Sequence, residues 1–187
     1  MVVMCVVVTA RPCNVKVQSW SGGGPKNIPK CRTQPGYVKL NGIKMLDKPS
    51  CGSGFSGDAT VSGLHLVRID ALLCNSKKTV HFNIQNKNGL KDYLNKLPNH
   101  AVIAGVSIED AMAKRLVLDA LDAELGVHIT DVKYRGSFAF VAQKTTKKNV
   151  VDKVMTAASS QNNPAHLNVN IFGMSAKIGA GKWLLKS

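Results

Sequence analysis

Apolar and polar positions alternate with a period of two through much of this chain, and the stretches that break the alternation divide it into elements. The segment "NVKVQSW" (14–20) reads as a strand, and "SGGGPKNIP" (21–29) ends it in a loop. "YVKLNGIKML" (37–46) places Asn41-Gly42, the commonest two-residue turn, between two alternating runs and predicts a β-hairpin. The Gly/Ser-rich "CGSGFSGDATVSG" (51–63) predicts a surface loop. "LHLVRIDALLC" and "KTVHFNI" then follow as two strands joined at Asn75-Ser76-Lys77.

The period changes after residue 86. In "NGLKDYLNKLP" the residues Leu90, Tyr93, Leu94 and Leu97 fall at helical spacing, and Pro98 stops the helix. The continuous apolar run "AVIAGV" (101–106) predicts a central strand buried on both faces. "SIEDAMAKRLVLDALDAELG" predicts a second helix, opened by Ser107 with Asp110 in a capping-box-like pair and closed by Gly126. Its buried stripe is Ala111, Leu118, Leu121 and Leu125, helped by Val117. "VKYRGSFAFVAQKTTKKN" (132–149) is an alternating strand running into lysines, with Phe138, Phe140 and Ala142 on one side and Ala139, Val141 and Gln143 on the other. Residues 147–158 read as a weaker helix, "HLNVNIF" (166–172) as a last strand, and the remainder as a basic tail. No internal repeat is present.

Composition places this pattern in a globular chain: 187 residues suit one domain, and 44% hydrophobic residues bury a sizeable core. The formal net charge of +14 is unevenly spread. Residues 11–50 hold eight Lys/Arg against Asp47, residues 144–187 hold seven against Asp152, and residues 51–143 hold ten against nine acids. A nearly neutral centre with basic flanks fits either a soluble surface or a cationic approach to an anionic partner.

"MVVMCVVVTARPC" carries an apolar run followed by Thr9-Ala10, with Val8 and Ala10 where a signal peptidase takes small residues. Residues 1–10 are accordingly read as a signal-peptide remnant, the competing reading being a buried Val-rich strand. Cleavage after Ala10 leaves Cys13, Cys31, Cys51 and Cys74, an even number without zinc-type CxxC spacing, so disulfides in an oxidising compartment are expected. No apolar stretch reaches the roughly 18 residues of a membrane span, and the expected location is secreted or extracellular.

Enzymatic chemistry finds no foothold in the residues. The histidines at 65, 81, 100, 128 and 166 stand far apart without HExxH, and His65 and His81 read as ordinary partly buried strand residues. Glu109, Asp110, Asp119, Asp122 and Glu124 read as a solvated helix face rather than a glycosidase pair. "IGAGK" fails the phosphate-loop pattern twice, at Ala176 and at Trp183. Neither a metal nor another cofactor is expected. Nucleic acid is also disfavoured, because the ten aromatics are too few to interleave with the basic residues and Phe82, Phe138 and Phe140 are patterned to the core.

The succession "GLHLVRID", "VHFNI", a short helix, "AVIAGV", a helix ending "AELG" and "DVKYRGSFAFVAQK" resembles the interleukin-like EMT inducer and pancreatic-derived factor family, the GG-type lectin domain. The resemblance covers roughly residues 13–145 and includes Cys13, Cys31, the hairpin "YVKLNGIKM" and Gly63. It implies an α+β fold, a β-sandwich of two mostly antiparallel sheets with flanking helices. The implied domain spans residues 11–150, with 151–187 as a basic C-terminal extension carrying a helix and a strand. The family pattern also implies the pairing Cys13 with Cys31, leaving Cys51 with Cys74.

What the resemblance implies for function is a non-enzymatic carbohydrate-recognition module. Its partner would be a glycan or glycoprotein, including acidic or sulfated sugars, with a cytokine-like or structural protein-interaction module as the alternative. Carried over position by position, the ligand-binding set is Gly63, Glu109, Tyr134, Arg135 and Gly136. The chain departs from the family where Val61-Ser62-Gly63 replaces Gly-Arg-Gly, where Gly136 stands for an aspartate, and where Phe138 stands for a tryptophan. A pocket on this pattern keeps Arg135 and Glu109 and lacks two polar partners. Arg135 has a competing role as a salt-bridge partner of Glu109 or Asp131, while the strand 132–149 reads as a recognition strand.

Overall fold

A computed structural model describes residues 12–19, 36–48, 63–70, 73–82, 87–108, 115–129, 137–144, 154–159, 165–172 and 184–186. Its elements in chain order are β1 (Cys13–Ser19), β2 (Gly36–Leu40), β3 (Ile43–Lys48), β4 (Gly63–Asp70), β5 (Asn75–Phe82), α1 (Lys87–Asn95), β6 (Val102–Ile108), α2 (Arg115–Leu125), β7 (Ser137–Gln143), β8 (Val154–Ser159), β9 (Ala165–Phe172) and β10 (Leu184–Lys186). Two five-stranded sheets form, sheet A in the order β10-β9-β1-β2-β3 and sheet B in the order β5-β4-β6-β7-β8. Every paired neighbour is antiparallel. The expected α+β fold, a sandwich of antiparallel sheets with flanking helices, is what the chain adopts.

Alternation along each strand assigns residues to layers. Val15 and Val17 of β1, Val38 and Leu40 of β2 and Val169 and Ile171 of β9 meet Val67, Ile69, Val102, Ala104, Val106, Ala139 and Val141 of sheet B in the core between the sheets. The opposite face of sheet B presents Leu64, Leu66, Ile103, Phe138 and Phe140 to Leu90, Leu94 and Leu97 and to Val117, Leu121 and Leu125 of the helical layer. Strands β6 and β7 of sheet B are therefore buried on both sides, as the unbroken apolar run of β6 requires. All of β7 is buried, with the two alternating sets predicted from its sequence on opposite faces. Because β7 lies between β6 and β8, the part of the stretch 132–149 that it forms, Ser137–Gln143, is an inner strand without a free edge.

Gly105 shows how tightly the second layer is fitted. It lies opposite Phe140 in the β6–β7 ladder, and a Cβ there would overlap the edge of the Phe140 ring, which crosses the glycine. Gly105→Ala is thus expected to destabilise by about 1–3 kcal/mol through overpacking. Phe140→Leu in the same chain should recover part of that loss, so a thermal or urea double-mutant cycle should give a nonzero coupling energy, whereas strict additivity would contradict the contact.

Several local expectations hold. Asn41 and Gly42 take φ values of +48° and +85°, as the two-residue hairpin turn requires, with a register shift at Val38/Lys39. Leu90 and Leu94 are buried at helical spacing in α1. Gly126 closes α2 with φ +68° and its N–H bonded to the Asp122 carbonyl at 2.8 Å.

Others are corrected. The β4–β5 reversal falls earlier than Asn75-Ser76-Lys77, since Asp70 pairs with Asn75 and Ile69 with Ser76. Asp70 holds this turn, accepting from Leu73 N–H at 3.2 Å and pairing with Lys77 at 2.9 Å. Ser107 does not cap a helix; it lies in β6, and α2 is helical from Arg115. Ala111 lies outside the described residues, while Val117, Leu121 and Leu125 are the buried stripe of α2, with Leu118 half-buried. Of residues 147–158, read as a helix, 154–158 lie in strand β8, because pairing with β7 over Ser137–Ala142 outweighs the weak helical propensity of "VMTAAS". Strand β9 pairs with β1 along its whole length, from Cys13 opposite Ile171 to Ser19 opposite Ala165. Thus β8 and β9, both within residues 151–187, contribute one strand to each sheet.

Candidate functional site

Gly63 opens β4 opposite Ile108, the last residue of β6, and Ser137 opens β7 opposite Ser159, so these strand ends share one end of sheet B. Gly63 has φ +132°, and a Cβ there would overlap the Phe82 carbonyl oxygen and stand 3.0 Å from His81 Nε2. Both the backbone angle and the close approach of β5 demand glycine. Beside it the His65 and His81 rings stack with centroids 4.4 Å apart, His65 fully buried and His81 half-buried. The reading of these two as partly buried strand histidines is therefore right for His81, while His65 is more enclosed than expected.

The β6–β7 backbone ladder stops at Val106–Ala139. Beyond that pair the Ser107 hydroxyl takes over, accepting from the Phe138 N–H at 2.8 Å and donating to the Phe138 carbonyl at 3.2 Å. The Ser107 side chain thus bonds β6 to β7 at the end of the sheet where Ile108 and Ser137 stand, all three residues being fully buried. In sequence, Glu109 directly follows Ile108 and Gly136 directly precedes Ser137. Of the predicted ligand residues, Gly63 is seen at this end; Glu109, Tyr134, Arg135 and Gly136 lie outside the described residues, as does Asp131.

The cysteines are paired differently from the family expectation. Cys13 is bonded to Cys74 with a Cα separation of 5.3 Å, which excludes Cys13–Cys31 and Cys51–Cys74. The reason lies in the fold: Cys13 begins β1 with its side chain in the inter-sheet core, and Cys74 sits in the β4–β5 turn with φ +50°, packed against that core. The bond thus joins sheet A to sheet B. Cys31 and Cys51 lie outside the described residues.

Lys144, the first lysine after β7, has a structural partner. Its Nζ donates to the carbonyls of Leu94 at 2.6 Å and Asn95 at 2.9 Å at the C-terminus of α1, where a cation is also favoured by the helix dipole. Tyr93, on the same helix, has a buried hydroxyl with no hydrogen-bond partner among the described residues; burial pushes its pKa up, and the charge of Arg68 pulls it partly back.

A second polar surface was not singled out from the sequence. Asn14 and Lys16 alternate with the core residues Val15 and Val17 and so point to the outer face of sheet A, with Asn168 and Asn170 beside them on β9. The Asn14 carboxamide donates to Asn168 Oδ1 at 2.8 Å and Asn170 Oδ1 at 2.9 Å, and the Asn14 N–H donates to Asn41 Oδ1 at 2.9 Å. The polar positions of "NVKV" and "NVNI" carried the available signal, but their meeting depends on β9 pairing with β1.

Among the described residues no three His, Cys, Asp or Glu side chains gather as metal ligands, and no helix is long and apolar enough to cross a membrane. No curated protein matches the chain. The family model for interleukin-like EMT inducer matches residues 62–146, the stretch that runs from the start of β4 through both helices to the end of β7. The matched residues 62–146, which supply four of the five strands of sheet B and the helical layer over it, are similar to the interleukin-like EMT inducer domain.

Proposed function

We propose that the chain is an extracellular, non-enzymatic carbohydrate-recognition module that binds a glycan or glycoprotein at the Gly63 end of sheet B. The observation that supports this reading is the match to the interleukin-like EMT inducer family model over residues 62–146, which contain Gly63 and its glycine-demanding approach to β5. In sequence, Glu109 follows the last residue of β6, and Tyr134-Arg135-Gly136 precede the first of β7. A guanidinium directs several donors at sugar hydroxyls or at an acidic sugar's carboxylate, and a tyrosine ring offers an apolar face to the sugar. The inter-sheet disulfide fits an oxidising, extracellular setting.

A glycan array probed with the purified chain tests this reading. Arg135→Ala should abolish binding of the best array ligand while the melting temperature stays within a few degrees, as for a surface substitution. Unchanged binding by Arg135→Ala would move the site elsewhere. The alternative, a cytokine-like or structural protein-interaction module, is favoured by Ile43 at the start of β3 and Leu73 in the β4–β5 turn, which are 66% and 71% exposed. It predicts an array without ligands and a protein complex sensitive to Ile43→Ser and Leu73→Ser.

A further inference from the structure

We propose that the outer face of sheet A is a separate binding surface for a linear sulfated polysaccharide, seated on Lys16 and Lys39 and on the carboxamides of Asn168 and Asn170. The ligand class rests on the carbohydrate-recognition reading; the place does not, since every strand of sheet A lies outside the matched residues 62–146. Lys16 of β1 stands directly opposite Lys39 of β2 in the register and directly opposite Asn168 of β9. Like charges facing each other across strands repel, so this arrangement carries a cost that a bound anion removes. Lys44 of β3 stands opposite Lys39 in turn, so three lysines follow one another across β1, β2 and β3 and the field above them is positive.

The asparagines add preorganised donors. Asn168 and Asn170 turn their Oδ1 atoms to the Asn14 amide, which fixes the two carboxamides and leaves their NH2 groups pointing away from Asn14. Both side chains are exposed, as is Lys16, and Asn168 and Asn170 are two residues apart on one strand, about 7 Å along it. Ammonium groups for sulfate and fixed amide donors for sulfate or hydroxyl oxygens therefore lie side by side on a regular sheet. Single-stranded nucleic acid would need a run of stacking rings, whereas Tyr37 on this face already lies under the Lys39 ammonium, 4.5 Å from its ring centroid.

The test measures binding of the full chain to heparin, to chemically desulfated heparin and to a mixed-sequence single-stranded oligonucleotide of matched charge. Heparin should bind more tightly than either of the others. Lys16→Gln/Lys39→Gln should weaken heparin by about tenfold or more at physiological salt and reduce the slope of log affinity against log salt by about two. Asn168→Ala/Asn170→Ala should weaken it without changing that slope. A charge-matched control on the helical layer, Lys91→Gln/Lys96→Gln, should leave heparin affinity nearly unchanged. Equal losses in the two lysine pairs would show attraction by net charge alone and overturn the proposal, as would equal affinity for the oligonucleotide or for desulfated heparin. Arg135→Ala separates the two readings: its loss of array binding with heparin retained, or the reverse in Lys16→Gln/Lys39→Gln, assigns each ligand to its own surface.

Discussion

Removing the Cys13–Cys74 bridge by Cys13→Ala/Cys74→Ala is expected to lower unfolding stability by about 4 kcal/mol, the chain-entropy value for a loop of its length. The bonded cysteines are 61 residues apart in sequence, so the bridge confines a long loop of the unfolded chain. In the folded chain it ties the first residue of β1 to the β4–β5 turn, across the two sheets. Urea unfolding of the double variant measures the loss, and a non-reducing peptide map should recover a Cys13–Cys74 linked peptide. A Cys13–Cys31 peptide instead would overturn both the pairing and the account of what staples the layers.

Ile103→Ala should cost about 2–5 kcal/mol, the range for deleting a buried aliphatic side chain. Ile103, the second residue of β6, is fully buried on the face turned to α1 and α2, with β4 and β7 paired on either side. Rigid neighbours on all sides leave little room for the cavity to collapse, which favours the upper part of that range. Ile43→Ala, at an exposed hairpin position, should stay within about 0.5 kcal/mol and serves as the comparison. If chemical denaturation showed Ile103→Ala to be as mild as Ile43→Ala, the helical layer would not cover sheet B.

The amino-acid sequence by itself determined the features that depend on neighbours along the chain. Asn41-Gly42 specifies its turn because two successive residues must take positive φ. Gly126 ends its helix for the same steric reason, and "AVIAGV" declares a strand buried on both faces because it has no polar position to give to water. Of the candidate site, the sequence supplied Gly63 and its demand for glycine, and the structure supplied the reason in the approach of Phe82 and His81.

Only the tertiary structure decided what depends on partners distant in sequence. Ser107 reads locally as a helix cap, yet its hydroxyl bridges to Phe138, 31 residues away, where a ladder ends. "VMTAAS" becomes a strand because β7 has backbone groups to satisfy, and Cys13 finds Cys74 because the sandwich folds the β4–β5 turn over β1. Lys144 is drawn to the end of α1 by carbonyls that no local pattern reveals. Asn14 meets Asn168 and Asn170 across more than 150 residues through the pairing of β1 with β9, so the polar face they build exists only once the first and last parts of the chain share a sheet.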